Sequence, residues 1–257
     1  MLTAWIAFTR DVSPRMSECE LTHLARTPID VQAARAQHAA YEALLTSLGC
    51  DVRRVGSAPT YPDAVFIEDT AIVLDDVAVI TRPGAESRRG ETAAVADALA
   101  PLRRLVHIES PGTLDGGDVL VIGRAVYVGM TARTNAAGIA QLRTVLAPFG
   151  YAIKGVPVTG CLHLKTAVTA LDDQTVLLNP SWVSASVFAA YRVLTVDPDE
   201  PMAANVLRIG ASLVYGAAYP RTLARIRAAG FAPVTVDASE LAKAEGAVTC
   251  CSLVLRG

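Results

Sequence analysis

The chain has 257 residues, of which 52% are hydrophobic and 19% charged, and its formal net charge is −2. This composition supports a packed core and excludes bulk disorder, and the lack of a basic excess argues against a nucleic-acid-binding surface. No apolar run approaches the roughly 20 residues of a membrane helix, so we expect no membrane partner. The five cysteines, odd in number and irregularly spaced, are typical of a cytoplasmic protein rather than of a disulfide framework.

A repeated order of hairpin, helix and strand runs through the chain. In chain order, the predicted elements are a strand at 2–8, helix 30–48, strand 51–55, hairpin 63–81, helix 91–102, strand 105–109, hairpin 118–129, helix 136–149, strand 152–158, hairpin 163–179, helix 184–191, strand 193–196, hairpin 203–215, helix 221–229, strand 233–236 and strand 248–255. Five copies, one divided between the termini, predict a ring closed by pairing of the chain ends, which would remove exposed sheet edges. An open α/β sheet with two lobes is the alternative. Because no linker separates two halves, we expect one domain over residues 1–257.

The ring predicts that matching points of different copies meet at one end of a central channel. Asp63, Asp115, His163 and Cys250 each lie just before or at the first strand of a copy. We therefore expect these four side chains, which are far apart in sequence, to lie close together.

Cys250 and His163 carry the predicted chemistry. On a strand, Cys250 and its neighbour Cys251 face opposite sides, so only one can face the channel. Both thiols could be ordinary buried residues, and His163, between apolar residues, could be a core histidine. The functional interpretation makes Cys250 a nucleophile toward an electron-poor carbon and His163 a proton shuttle. Asp115 would orient the imidazole, although an Asp-Gly-Gly-Asp segment also suits a tight turn.

Three acids, Asp63, Glu68 and Asp69, interrupt an apolar run that is predicted to be a strand. Strands are depleted in acids, and buried acids need a positive partner, which a guanidinium substrate would supply. Arg88 and Arg133 could bind a substrate carboxylate, although such residues are more often found on the surface. The cysteines and histidines lack zinc-ligand spacing, so no metal site is predicted.

Seven segments, in order, resemble the dimethylarginine dimethylaminohydrolases of the guanidino-modifying pentein superfamily. They are residues 62–69 (PDAVFIED), 80–89 (ITRPGAESRR), 113–120 (TLDGGDVL), 133–135 (RTN), 162–165 (LHLK), 203–205 (AAN) and 248–252 (VTCCS). The resemblance covers nearly the whole chain and implies a five-bladed α/β propeller. It also implies hydrolysis of Nω-methylated arginine to citrulline and an amine, with no cofactor and with a guanidino amino acid as partner.

The resemblance also implies residue roles. Cys250 would attack the guanidinium carbon, and His163 would protonate the departing amine and then activate water while Asp115 orients it. The implied substrate-binding residues are Asp63, Phe66, Glu68, Asp69, Arg88, Arg133, Glu245 and Leu24. Glu245 stands where many relatives have Asp, and Leu24 would be the apolar contact of a lid near residues 21–28. We expect the acids near Cys250 to oppose its ionisation.

Three rival functions are weighed against this one. An arginine or agmatine deiminase would release ammonia by the same covalent chemistry, but the chain is short for those enzymes. A non-catalytic propeller would lack the cysteine, histidine and aspartate set. A cysteine protease would have no reason for three acids on the substrate strand. The sequence leaves open whether the protein is a monomer or a homodimer.

Overall fold

Five three-stranded sheets form the framework of the computed structural model, which describes residues 5–257. In each sheet the middle strand pairs antiparallel with one neighbour and parallel with the other. The strands of the described residues are β1 (Trp5–Thr9), β2 (Cys50–Arg54), β3 (Ala71–Val73), β4 (Val77–Ile80), β5 (Arg104–His107), β6 (Val119–Ile122), β7 (Ala125–Met130), β8 (Ala152–Pro157), β9 (Val168–Ala170), β10 (Thr175–Leu178), β11 (Arg192–Thr195), β12 (Val206–Ile209), β13 (Ser212–Gly216), β14 (Val234–Val236) and β15 (Leu253–Arg256). The predicted five-fold repeat is confirmed.

Helices connect the second and third strands of most units. The α-helices in residues 5–257 are α1 (Val31–Ser47), α2 (Thr92–Leu99), α3 (Ala136–Leu146), α4 (Leu164–Ala167), α5 (Pro220–Ala228) and α6 (Ser239–Ala242). Short 3-10 helices lie at Met16–Glu18, Ile67–Thr70, Glu86–Glu91, Gly116–Asp118, Ala147–Phe149 and Ala185–Phe188. Helix α1 begins where predicted because the Asp30 side chain caps it, accepting the N–H groups of Gln32 and Ala33 at 2.9 and 3.0 Å. The predicted helix at 184–191 is only the 3-10 helix Ala185–Phe188.

The two ends of the chain close the ring. Strand β15 pairs antiparallel with β1, from Trp5 opposite Arg256 to Phe8 opposite Leu253. Residues 2–4 of the predicted strand 2–8 lie outside the described residues. The first strands of the five units, β3, β6, β9, β12 and β15, line one channel of about 510 Å³. The architecture is therefore the predicted five-bladed α/β propeller and not an open sheet with two lobes.

The hydrophobic core is divided into layers between neighbouring blades. Within the described residues, five apolar clusters each join one sheet to the next, so the number of clusters equals the number of blade interfaces. One of them joins β3 and β4 to β6, β7 and α3, with Val79, Leu114, Val128 and Leu142 buried in it. Across residues 5–257, every helix falls short of the length and apolarity needed to cross a bilayer.

The predicted strands begin too early in four copies: those predicted from 63, 163, 203 and 248 start at Ala71, Val168, Val206 and Leu253, and α4 occupies residues 164–167. Ala64, Val65 and Ile67 are buried, yet residues 63–70 form a turn and then the 3-10 helix Ile67–Thr70, with the Phe66 N–H bonded to the Asp63 carbonyl at 2.9 Å. Residues 248–251 likewise form a turn before β15. A segment that is buried on all sides shows no alternation of apolar and polar residues. The sequence pattern therefore could not distinguish a strand from a turn there.

Candidate active site

The candidate site is built from the segments that precede the first strands, at one end of the channel. Cys250 lies in the turn before β15, and His163 is the residue immediately before α4. Asp115 precedes the 3-10 helix Gly116–Asp118. Asp63, His163 and Cys250 line one small pocket of about 20 Å³, and Asp115 contacts His163 from behind. The four matching points therefore converge as the ring predicted.

Most of the predicted site residues border this pocket. Eight of the eleven line it: Asp63, Phe66, Asp69, Arg88, Arg133, His163, Glu245 and Cys250. Asp115 lies behind His163, Glu68 faces the channel, and Leu24 borders a neighbouring cavity of about 360 Å³. What each residue does in the reaction stays a prediction.

The imidazole of His163 lies between two carboxylates. Its Nε2 is 3.0 Å from Asp115 Oδ2, and its Nδ1 is 3.8 Å from Asp69 Oδ1. Asp115 is itself fixed by the Gly84 N–H, which donates to its Oδ1 at 2.8 Å. Burial alone would lower the pKa of His163, but Asp69, the hydrogen bond to Asp115 and Asp118 outweigh it and raise this pKa to about 9. The geometry therefore holds an imidazolium, a proton donor, at neutral pH.

A glycine makes room for this imidazole. A Cβ on Gly117 would lie 2.6 Å from His163 Nδ1 and 2.7 Å from Asp69 Oδ1, so only glycine fits without a shift. The Gly117 N–H also donates to Asp69 Oδ1 at 2.9 Å. Gly117 therefore packs directly against the histidine.

Cys250 and Cys251 differ in exposure, although not for the predicted reason. Both lie in a turn and not on a strand; Cys251 is buried in the core, whereas Cys250 is partly exposed and borders the pocket. Burial, together with the negative charges of Glu68 and Asp69, raises the pKa of the Cys250 thiol to about 12. The acids oppose ionisation as expected, but burial is the larger cause.

Two of the three predicted acids already have cationic partners that belong to the chain itself. Asp69 Oδ2 accepts from Arg88 Nη1 at 2.6 Å, and Glu68 Oε1 pairs with Lys165 Nζ at 2.5 Å. Burial raises the pKa of Asp69, but His163 and Arg88 outweigh it and lower this pKa to about 2. For Asp63, burial dominates and raises the pKa to about 6. The burial of Asp69 and Glu68 therefore does not by itself require a cationic substrate, and their role in binding one stays a prediction.

The two arginines have different surroundings. Arg88 is buried, and it donates to both carboxylate oxygens of Glu91, to Asp69, and to the carbonyl oxygens of Asp63 and Phe66. Arg88 therefore stabilises the pocket wall from the buried side. This differs from the alternative interpretation, in which Arg88 was a surface residue.

Arg133 is held more loosely than Arg88. Its Nη2 donates to Thr22 Oγ1 at 3.2 Å, and its Nη1 is 3.9 Å from Asp115 Oδ2. Arg133 thus keeps more freedom than Arg88 to bind a ligand.

Glu245 holds the predicted lid. Its carboxylate accepts the backbone N–H groups of Thr22, His23 and Leu24 at 3.0, 2.5 and 2.6 Å. Glu245 has a φ of +58°, a left-handed conformation that is strained for a residue with a side chain. Leu24 is 38% exposed and borders the neighbouring cavity instead of the pocket. In this closed arrangement Glu245 contacts the loop, where a substrate contact was expected.

Sequence reasoning missed three residues that shape the site: Lys165, Glu91 and Asp118. Lys165 partners Glu68 from a position 97 residues away in the chain, and Glu91 partners Arg88 on the 3-10 helix Glu86–Glu91. Lys165 could have been identified from the sequence, because it follows His163 by two positions and lies on α4, the short helix that begins directly after the histidine.

One group of residues in the described part of the chain has metal-ligand spacing: Asp69, Asp115 and His163, whose candidate atoms lie within 4.8 Å of one another. The Nε2 of His163 is already hydrogen-bonded to Asp115, and Asp69 is paired with Arg88. This arrangement suits proton transfer by a charged imidazole.

Comparison with known proteins places the chain in a family. Residues 58–206 match the family model described as arginine deiminase. A dimethylarginine dimethylaminohydrolase of Streptomyces coelicolor is 46% identical over 252 residues, which is 97% of this chain and 96% of the relative. The chain belongs to the dimethylarginine dimethylaminohydrolase family. The predicted resemblance is confirmed.

Two solved structures of dimethylarginine dimethylaminohydrolases share the fold over almost their full length. One is the Pseudomonas aeruginosa enzyme, a cysteine-to-serine variant in complex with citrulline, with a TM-score of 0.94, 32% identity and coverage of 99% of this chain and 100% of that one. The other is a histidine-to-glycine variant as an adduct with S-methyl-L-thiocitrulline, with a TM-score of 0.91, 32% identity and coverage of 97% and 98%.

Proposed function

We propose that this protein hydrolyses Nω-methylated arginine, as asymmetric dimethylarginine or monomethylarginine, to citrulline and dimethylamine or methylamine. The observation that carries the proposal is that Cys250 and His163 line one pocket while Asp115 bonds the imidazole. The names of the family members and the citrulline complex of the Pseudomonas aeruginosa enzyme support the same reaction.

The first half of the reaction forms a covalent intermediate. The cationic guanidinium, bound beside Asp69, lowers the pKa of the Cys250 thiol, and the thiol proton leaves to solvent. The thiolate attacks the guanidinium carbon and forms a C–S bond. The His163 imidazolium then protonates the methylated nitrogen, the C–N bond breaks and the amine departs, leaving a thiouronium on Cys250.

The second half regenerates the enzyme. His163, now neutral, takes a proton from water while the water oxygen attacks the same carbon. As the tetrahedral adduct collapses to the carbonyl of citrulline, the C–S bond breaks and the hydroxyl proton passes to the departing sulfur, which restores the Cys250 thiol. Asp115 keeps the imidazole oriented through both halves. Each proton that His163 gives to the amine is thus recovered from water.

Substrate entry requires the loop at residues 20–24 to move. A pocket of about 20 Å³ is far smaller than an arginine derivative. In the closed arrangement Asp63 accepts the Glu20 N–H at 3.1 Å, and Arg133 donates to Thr22. Opening of the loop frees both side chains, and we propose that Asp63 then binds the substrate's α-amino group and Arg133 its carboxylate.

Arginine is the second candidate substrate, because the matching family model is that of arginine deiminase. The test is citrulline release from asymmetric dimethylarginine, monomethylarginine, arginine and agmatine, with Cys250→Ser as the matched control. We expect turnover of the methylated substrates that the variant abolishes. A preference for arginine or agmatine would reassign the protein to the deiminases, and no turnover at all would reject the substrate assignment.

We further propose that residues 1–257 act as one catalytic domain in the cytoplasm. Pairing of β15 with β1 supports a single unit, because neither end can be removed without opening the ring. All five cysteines are free thiols, which suits a reducing compartment.

A further inference from the structure

Asp118, the second acid of the Asp-Gly-Gly-Asp segment, is completely buried and makes three hydrogen bonds. Its Oδ2 accepts the hydroxyl groups of Thr131 and Thr134 at 2.6 and 2.7 Å, and its Oδ1 accepts the Leu164 N–H at 3.0 Å. A carboxylate with these donors satisfies itself without any ligand. The mechanism proposed above assigns it no step.

Each of these bonds leads to a candidate site residue. Thr131 Oγ1 accepts the backbone N–H of Arg133 at 3.1 Å. Thr134 Oγ1 accepts the backbone N–H of Asp115 at 3.2 Å. The third bond goes directly to the residue that follows His163. One carboxylate thus ties together the backbones that carry the carboxylate-binding arginine, the orienting acid and the histidine.

The fold reserves space for this carboxylate. A Cβ on Gly129, in β7, would lie 2.5 Å from Asp118 Oδ1 and 3.0 Å from the Leu164 Cβ. Both bonds to threonine hydroxyls are short, as expected for an ionised acceptor.

We propose that Asp118 is a positioning residue, which sets His163 and Asp115 for chemistry and Arg133 for binding through separate hydrogen-bonded arms. This inference rests on the proposed function and adds a residue to it. The negative charge of Asp118 also acts on the imidazole, because it is one of the groups that raise the pKa of His163.

The separate arms allow kinetics to distinguish positioning from general stability. Thr131→Val removes the arm to Arg133 and is expected to raise KM for dimethylarginine about tenfold with kcat within about twofold. Thr134→Val removes the arm to Asp115 and is expected to lower kcat about tenfold with KM within about twofold. Serine at either position keeps the hydroxyl and should restore both constants to within about twofold of the unaltered enzyme.

Thr144→Val is the matched control, because within residues 5–257 the Thr144 hydroxyl bonds only the Ala140 carbonyl of its own helix. A merely structural role for Asp118 predicts that both valine variants behave like this control, or that they lose kcat in proportion to folded protein with unchanged KM. Either result would overturn the proposal.

A second measurement separates failure of this proposal from failure of the proposed function. His163 is one of four histidines, so its imidazole can be followed by NMR during a pH titration. Asp118→Asn removes one negative charge and is expected to lower the pKa of His163 whether or not methylarginine is the substrate. An unchanged titration in the folded variant would overturn the electrostatic part. If Asp118→Asn does not fold, the same NMR measurement is made on Thr134→Val. We then expect the His163 resonance to shift, and an unshifted resonance would count against the proposal.

Discussion

Replacement of Glu245 by Gln should release the lid without altering the fold. The Glu245 carboxylate accepts three backbone N–H groups, from residues 22 to 24, at 2.5 to 3.0 Å. Gln keeps one acceptor oxygen but loses the charge, and its amide group faces a backbone donor. Because Glu and Gln are equally strained at a φ of +58°, the comparison isolates the carboxylate.

The size of the effect follows from the number and kind of bonds. A hydrogen bond to a charged group contributes about 1.5–3 kcal/mol, and Gln retains part of the set, so we expect closure to lose a total of about 1.5–3 kcal/mol. Since about 1.4 kcal/mol is a tenfold change in an equilibrium constant, opening of the loop should become roughly 10- to 100-fold more frequent.

Native-state hydrogen exchange measures this opening directly. The amides of Thr22, His23 and Leu24 should lose roughly 10- to 100-fold of their protection in Glu245→Gln. Glu240→Gln is the control, because that carboxylate accepts the Asp30 N–H at 2.9 Å and touches none of the three amides. Equal exchange of the three amides in the Glu245 variant and the unaltered protein would refute the conclusion that the Glu245 carboxylate holds the loop closed.

Two further predictions concern stability. Leu142→Ala removes a completely buried side chain from the layer between two blades, and the free energy of unfolding measured in urea should fall by about 2–5 kcal/mol; a loss below about 1 kcal/mol would mean that the layer can collapse into the cavity. His163 binds its proton more tightly in the folded state, since its pKa is raised from 6.5 to about 9. Its contribution is therefore fully present below about pH 6.5 and is lost as the pH rises through about 9. The difference in unfolding free energy between the unaltered protein and His163→Asn should shrink across that window, and a difference that is independent of pH would contradict the raised pKa.

The blades could be predicted from the sequence because their signals are local. The turn at Gly123-Arg124 joins β6 to β7 where expected, and Gly123 has the positive φ of +59° that such a turn uses. Four such hairpins at regular spacing, with an unpaired strand at each end of the chain, leave ring closure as the arrangement that completes the fifth blade. The four convergent site residues followed from that symmetry alone.

The partners within the site could not be predicted, because they come from different blades. Lys165 reaches Glu68 across 97 positions, and the Thr22 N–H reaches Glu245 across 223. No periodicity in a single chain reports such pairs. The apolar neighbours of Glu68 and Asp69 favoured a strand, whereas burial on every side of that segment allowed a 3-10 helix to form there.

The pairing of acids with cations from the chain explains how Cys250, the proposed nucleophile, can rest un-ionised and still react. Asp69 and Glu68 are neutralised by Arg88 and Lys165, so the folded site is stable without a ligand. Burial then dominates at Cys250 and keeps the thiol protonated. A guanidinium that enters adds a positive charge with no new acid to cancel it, and a nearby positive charge lowers a thiol pKa. We therefore expect a cationic substrate to ionise its own nucleophile, whereas a neutral analogue of the same shape would bind beside an unreactive thiol.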